Sequence, residues 1–348
     1  MKRFAMPFLI AFIVLVTVVP SWLGVYNGYI QYIIVLAGIN ISLAVSLNLI
    51  NGYMGEFSVG HAAFMGVGAY ITSILTLLFI GGSKNFGDAL LGPGWSLIVF
   101  PLSLIVGAIA AALFSLLVAI PSFRTRGDYL AIITLAVNFI FKSVVENIDS
   151  IGGPRGLMGM GNVISTMEEV IDLPWIMIWT LVVALLTIYI IRNFITSTLG
   201  KGVVAIREDE IAAELMTVNT RRLKVIAFML GCGLAGAAGG LHGQLVGYIN
   251  PSQYFILQST MMLVMVYMGG MGSISGSVVG AIGLTVALEA LRGLDVYRWV
   301  AIPLLLIFLM LFRPTGIMGN KELHQLFPWL RKYVTPAEER IELVSTSD

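Results

Sequence analysis

Ten apolar runs, near 4–20, 28–50, 57–80, 95–120, 128–148, 174–193, 225–248, 254–270, 276–292 and 299–312, are the feature that most restricts what this chain can become. A hydrocarbon core about 30 Å thick is crossed by roughly 20 apolar residues in a helix. The runs are continuous and do not alternate, so they are not the strands of a barrel. A helix satisfies its own backbone in lipid, and it is the remaining solution. With 58% of the 348 residues hydrophobic and 11% charged, one soluble core could not hide this much apolar surface. The expected fold is an all-α polytopic membrane protein of about ten transmembrane helices.

Basic residues orient the spans, because Lys and Arg collect in cytoplasmic loops. Lys2 and Arg3 precede the first run; Arg124 and Arg126 follow the fourth; Arg192, Lys201, Arg207, Arg221, Arg222 and Lys224 flank the sixth and seventh; Arg313 and Lys321 follow the tenth. They fall in every second loop, which places both termini in the cytoplasm. The start could be mistaken for a secretory signal, but no clean small-x-small site follows and another apolar run begins almost at once, so it reads as a retained span. The runs 254–270 and 276–292 are short and separated by Gly269, Gly270, Gly272 and Gly276; a re-entrant pair would keep the same parity. The expected organisation is a transmembrane domain over 1–320, with a cytoplasmic loop at 192–224, and a short charged tail over 321–348.

That loop is longer than a turn requires. Glu208, Asp209 and Glu210 suit the first turn of a short helix, where acids complement the macrodipole. Ile211, Leu215 and Val218 follow at i, i+4 and i+7 as a narrow apolar stripe, with Glu210 and Glu214 on a neighbouring face. A helix resting on lipid would carry bases on its polar face; this one carries acids, so a protein partner suits it better.

The stretch AIREDEIAAELMTVNTRRLKVIAF resembles the cytoplasmic coupling loop, the EAA loop, of ABC-importer permeases, in the form of the LivM branch of branched-chain amino-acid permeases. LNLINGYMGEFSVGHAAFMGVGAY (47–70), RGDYLAIITLA (126–136), SIGGPRGLMGM (150–160) and MVYMGGMGSISGSVVGA (265–281) resemble the same family in the same order. The resemblance implies a bacterial inner-membrane importer with a second, different permease subunit, two ATPase subunits and a periplasmic or lipid-anchored binding protein. It implies that Glu208, Asp209, Glu210, Ile211, Ala212, Ala213, Glu214, Leu215 and Thr217 form the ATPase-coupling segment. Ile211 stands where the general EAA pattern has Glu before two alanines, and Thr217 where it has Gly, which leaves the bend after the helix open. No G-x-x-x-x-G-K-[ST] loop is present, so nucleotide would be hydrolysed by partner chains.

Polar side chains inside spans are costly, and each asks for a partner or a role. Asn40, Asn48 and Asn51 share a face of the second run, either bonding neighbouring helices or lining the path. Thr134, Asn138, Lys142 and Glu146 follow i, i+4 spacing in the fifth; Lys142, about 24 Å along the helix from Arg126, either pairs with Glu146 at the outer interface or faces a wet cavity. Gly231, Ala235, Gly239, Gly243 and Gly247 put a small residue at every fourth position of the seventh, a face for close packing. His61 and His242 read as hydrogen-bonded core residues. Residues 152–156, GGPRG, form a periplasmic turn, either a plain loop or a place where a binding protein docks.

H-E-x-x-H and G-x-S-x-G are absent and the His residues lack ligand spacing, so no catalytic residues, metal or cofactor are expected, and neither is a nucleic-acid partner. Two other transport readings stay open. The same architecture serves urea or short amides in relatives of the family, and an ion-coupled secondary transporter would also use polar residues in spans.

Overall fold

The computed structural model describes residues 14–82, 87–124 and 129–297, and beyond these 300, 304, 307–308, 311–312 and 316–319. The chain is almost wholly helical. A first helix, α1, covers 14–22. It is followed by α2 (Gly28–Asn48), α3 (His61–Thr76), α4 (Ser96–Ser122), α5 (Tyr129–Glu146), α6 (Gly161–Val170), α7 (Trp175–Thr196), α8 (Thr198–Glu208), α9 (Glu210–Leu215), α10 (Thr220–Val246), α11 (Ile256–Gly269) and α12 (Ile274–Ala290). Two short strands, β1 (Leu157–Met158) and β2 (Tyr248–Ile249), pair antiparallel with Leu157 opposite Ile249.

Seven of these helices, with their extensions, are long and apolar enough to cross a membrane: Gly28–Tyr53, His61–Gly81, Pro93–Ser122, Tyr129–Glu146, Trp175–Thr196, Thr220–Val246 and Ile274–Gly293. They correspond to seven of the ten apolar runs. The run 254–270 forms α11, 14 residues long; at 1.5 Å per residue it reaches about 21 Å, short of a full bilayer core. Most of the first and last runs, and the tail 321–348, lie outside the described residues. The protein is an all-α, multi-pass membrane protein.

Burial separates an inner trio from an outer shell. The most apolar windows of α2, α3 and α10 are 61–72% buried, against 28–33% for α4, α5, α7 and α12. On α4 the side chains of Ile98, Leu102, Ile105, Ile109, Leu113 and Leu117, three or four residues apart, are exposed. A large outward apolar ladder of this kind suits contact with lipid or with another membrane helix.

Glycine sets the spacing inside the trio. A Cβ on Gly239 would overlap the Met65 carbonyl on α3, and one on Gly231 would lie 3.0 Å from Ser46 O on α2. Gly243 faces Ser73 and Ile249. The stripe at every fourth residue therefore packs within this chain. A second glycine stripe, unread in the sequence, faces α4: a Cβ on Gly236 would meet Ala111 Cβ at 2.5 Å, and one on Gly233 would meet Ala112 Cβ at 3.1 Å. Gly247 serves differently. It ends α10 at φ 71°, a left-handed conformation that glycine adopts without strain.

The inner helix pair is broken where it turns. α2 widens into a π-helical turn over Leu49–Tyr53, and 54–60 then run without regular structure until α3 begins at His61. The apolar run read as 57–80 therefore starts its helix four residues later. Gly55, at φ 76°, supports the turn. At the other end of α10, Tyr248 Oη donates to Arg155 O at 2.7 Å and Asn250 Nδ2 to Pro154 O at 3.1 Å. These bonds and the β1–β2 pair dock the 152–156 turn onto the α10–α11 connection.

Candidate coupling segment and the helix break beneath it

Residues 197–224 fold as three capped helices. Ser197 Oγ accepts from Gly200 N at 3.2 Å and starts α8. Asp209, extended at φ −158°, stops α8 and caps α9, its Oδ1 accepting from Ile211 N at 2.9 Å and Ala212 N at 3.0 Å. Asn219 Oδ1 accepts from Arg222 N at 3.0 Å and starts α10. These short polar side chains satisfy amides that a helix start leaves unpaired. The bend after α9 is present without glycine: Thr217 takes φ 63°, the one non-glycine left-handed residue among those described. Such a conformation disfavours a β-branched side chain.

Side chains of α9 divide differently from the helical stripe. Ile211, Leu215 and Met216 are 67%, 80% and 77% exposed. Val218 instead packs against the core, and Ala213 is buried beneath the helix. Glu210 and Glu214 are engaged toward α10: Glu210 Oε1 lies 2.8 Å from Lys224 Nζ, and Glu214 Oε1 accepts from Thr220 Oγ1 at 3.1 Å. Ala212 lies on the exposed side, and Glu208 pairs with Arg207. The outward surface is thus a small apolar ridge with its acids turned to the flanks.

Beneath α9 lies the helix break. Lys224 Nζ is also 2.7 Å from Glu56 Oε1, so one ammonium bridges a carboxylate of α9 and one of the 54–60 segment. Arg207 Nη1 donates to Gly52 O at 3.0 Å. Asn48 Oδ1 accepts from Gly272 N at 2.9 Å while its Nδ2 donates to Ser273 O at 2.9 Å, pinning the turn between α11 and α12. Two of the basic residues that orient the loop are thus turned inward.

The polar residues read as candidates for a path fall into three groups. Asn40 Nδ2 donates to Thr285 Oγ1 at 2.9 Å and so bonds α2 to α12, while Asn48 bonds α2 to the α11–α12 turn. Thr134 Oγ1 accepts from Val59 N at 3.1 Å and Asn138 Nδ2 donates to Val59 O at 2.9 Å, so α5 satisfies both backbone groups of a residue outside any helix. Asn51 Oδ1 accepts from Ser58 N at 3.4 Å. Asn51 Nδ2 and Asn138 Oδ1 are buried without a partner among the described residues, which leaves the break unsaturated. Lys142 stands apart, 3.8 Å from Glu146 and with its Nζ 4.8 Å from the Phe255 ring centroid. His61 Nε2 and Ser46 Oγ lie 2.9 Å apart, and His242 Nδ1 and Tyr254 Oη 3.1 Å, as core hydrogen bonds.

Glu56 escapes a reading by apolar runs, yet it had a signal. It is the only Asp, Glu, Lys or Arg between Phe4 and Ser83. A lone ion in so apolar a stretch calls for a partner.

A multi-pass helical membrane protein with a capped, outward-facing helix seated on a broken inner helix is the class defined by this geometry. The chain belongs to the family described as "Branched-chain amino acid transport system / permease component", whose profile matches residues 29–312. It is 28% identical over 335 residues to the high-affinity branched-chain amino acid transport system permease protein LivM of Escherichia coli K12, covering 89% of this chain and 74% of that protein. It is 30% identical over 298 residues to BraD of Pseudomonas aeruginosa (82% and 92% covered), and 29% identical over 304 residues to LivH of Escherichia coli K12 (82% and 92%), both likewise permease proteins of such systems. No solved structure matches the chain.

Proposed function

We propose that this chain is one permease subunit of an ATP-driven importer of branched-chain or other apolar amino acids in a bacterial inner membrane. It forms half of the translocation path beside a second, different permease subunit. Two ATPase subunits dock on the cytoplasmic side, and a periplasmic or lipid-anchored binding protein delivers substrate to the opposite face, where the 152–156 turn sits. The reading includes ten spans with both termini in the cytoplasm.

The observation that carries it is the ridge of Ile211, Leu215 and Met216, presented by a capped helix in the most basic loop of a family member. An apolar ridge in a basic loop, with its carboxylates held back, suits insertion into a protein groove. Thr134, Asn138 and Asn51 support a place for the break beside the path, whereas Asn40 and Asn48 serve helix packing.

The test is capture. Wild-type chain co-purifies with its ATPase subunits, and Leu215→Asp, which puts a charge on the ridge, loses them while keeping its helical content. If the wild-type protein captures no ATPase and transports without ATP, the importer reading fails. Stimulation of the assembled complex by urea or a short amide, but not by leucine, would keep the architecture and replace the cargo.

A further inference from the structure

We propose that Lys224 is a positioning residue, a strut that transmits displacement of α9 to the break between α2 and α3 through its paired contacts with Glu210 and Glu56. The inference rests on the importer reading above.

The geometry singles out this side chain. Lys224 lies in the second turn of α10, and its side chain is 9% exposed, between carboxylates at 2.7 and 2.8 Å that belong to different segments. A surface ion pair between flexible side chains transmits little, because water and rotamers absorb the motion. Here Lys224 and Glu56 are 9% and 18% exposed while Glu210 is 44% exposed, so moving Glu210 away leaves the poorly solvated Lys224–Glu56 pair behind. When α9 shifts with a docked ATPase, Glu210 moves with it, and Lys224 and Glu56 must follow or lose the contact.

The contacts continue past Glu56. Arg207, at the end of α8, holds Gly52 O, and a Cβ on Gly55 would lie 2.6 Å from Arg207 Cγ, so the 52–56 backbone is clamped from the same side. Gly52 is equally close to the next turn, where an added Cβ would be 2.5 Å from Gly272 N. Asn48 bonds that same amide and Ser273 O. Displacement at α9 therefore reaches the α11–α12 turn through three direct contacts, Glu210 to Lys224, Lys224 to Glu56, and the clamped 52–56 backbone against Gly272. The element between them is a π-helical turn, a form found as a single-turn bulge within helices, often at functional sites. Coupling between sites needs such an element, with alternative arrangements that both sites bias.

The test is the number of amino acids imported per ATP hydrolysed by the complete complex in proteoliposomes, because a role confined to folding would lower both rates together. Lys224→Met keeps the length of the side chain and removes its charge. We expect the ATPase subunits still to co-purify and ATP still to be hydrolysed, while import per ATP falls by roughly tenfold, within the usual range of a coupling factor. Lys224→Arg should restore the ratio to within about twofold, since it retains a cation with two donor edges. Glu56→Gln preserves shape on the other side and should also lower the ratio. Assembled Lys224→Met and Glu56→Gln complexes with the wild-type ratio would overturn the proposal. So would failure of both variants to assemble, which would make the cluster a folding element only. Absence of ATPase capture by the wild-type chain is a separate result: it removes the importer reading, and this inference with it.

Discussion

Replacing Gly239 by alanine adds one methyl group at the tightest part of the inner trio. The new carbon would lie 2.7 Å from the Met65 carbonyl carbon and 3.0 Å from Met65 Cγ. Non-bonded carbons prefer roughly 3.5–4.0 Å, so α10 and α3 must part by about 1 Å. Backbone cannot rotate out of the way as a side-chain tip can. The same separation loosens Gly236 against Gly68, where a Cβ on Gly68 would already overlap the Gly236 carbonyl. Overpacking of this kind costs about 1–3 kcal/mol. It is opposed by the helix preference for alanine over glycine, worth about 0.5–1 kcal/mol. Gly283→Ala supplies the reference: it lies mid-helix in α12, and its added methyl would meet only the end of Met268, at 3.2 Å from Cε. Both variants gain the same propensity, so their difference isolates the packing cost. Titration of detergent-solubilised protein with SDS, followed by tryptophan fluorescence and circular dichroism, should show Gly283→Ala slightly stabilised. Gly239→Ala should be less stable than Gly283→Ala by about 1–3 kcal/mol. Equal stabilities would refute the close approach of α10 to α3.

Thr217→Gly removes a β-branched residue from the left-handed region and should stabilise the 215–219 bend by about 1 kcal/mol, read as slower amide exchange there. Asp209→Ala deletes the cap of α9 and should cost about 0.5–2 kcal/mol, with exchange rising at the Ile211 and Ala212 amides. Asn48→Ala releases the α11–α12 turn; two hydrogen bonds inside a membrane protein predict a loss of about 1–2 kcal/mol and faster exchange at the Gly272 amide. Unchanged exchange at that amide would mean that Asn48 does not hold the turn.

Much of the architecture was legible because lipid imposes a strong rule. Among the described residues, helices long enough to span stand at seven of the predicted places, and Gly231, Gly239 and Gly243 lie close to Ser46, Met65 and Ser73. Boundaries were harder. Run 225–248 stops at its bases, yet α10 continues back through Lys224, Arg222 and Arg221 to Thr220 because Asn219 caps it and Lys224 has buried partners. Hydropathy alone cannot see a charge that is neutralised by a distant residue. A short helix in the 192–224 loop was readable from Glu208, Asp209 and Glu210 and the apolar residues after them, but that Glu208 ends the preceding helix, and which face is free, were not. Val218 lies beyond the Thr217 bend, so helical periodicity no longer applies to it. Met216, the C-cap of α9 and absent from the stripe, joins the exposed ridge. Asn48 and Asn51, three residues apart on one face, meet different surroundings because the π-turn re-aims the second. The α8 helix and the β1–β2 pair carry little periodic signal, being an eleven-residue helix and two-residue strands held by tertiary contacts.

Under the function proposed above, this subunit passes apolar amino acids inward at the expense of ATP hydrolysed by partners seated on α9. The most direct test of that function is uptake of labelled leucine into proteoliposomes holding the complete complex, with binding protein outside and ATP trapped inside. Uptake should require the internal ATP, resist ionophores and be lost with Leu215→Asp. Uptake that persists without ATP and collapses when an ion gradient is dissipated would contradict it.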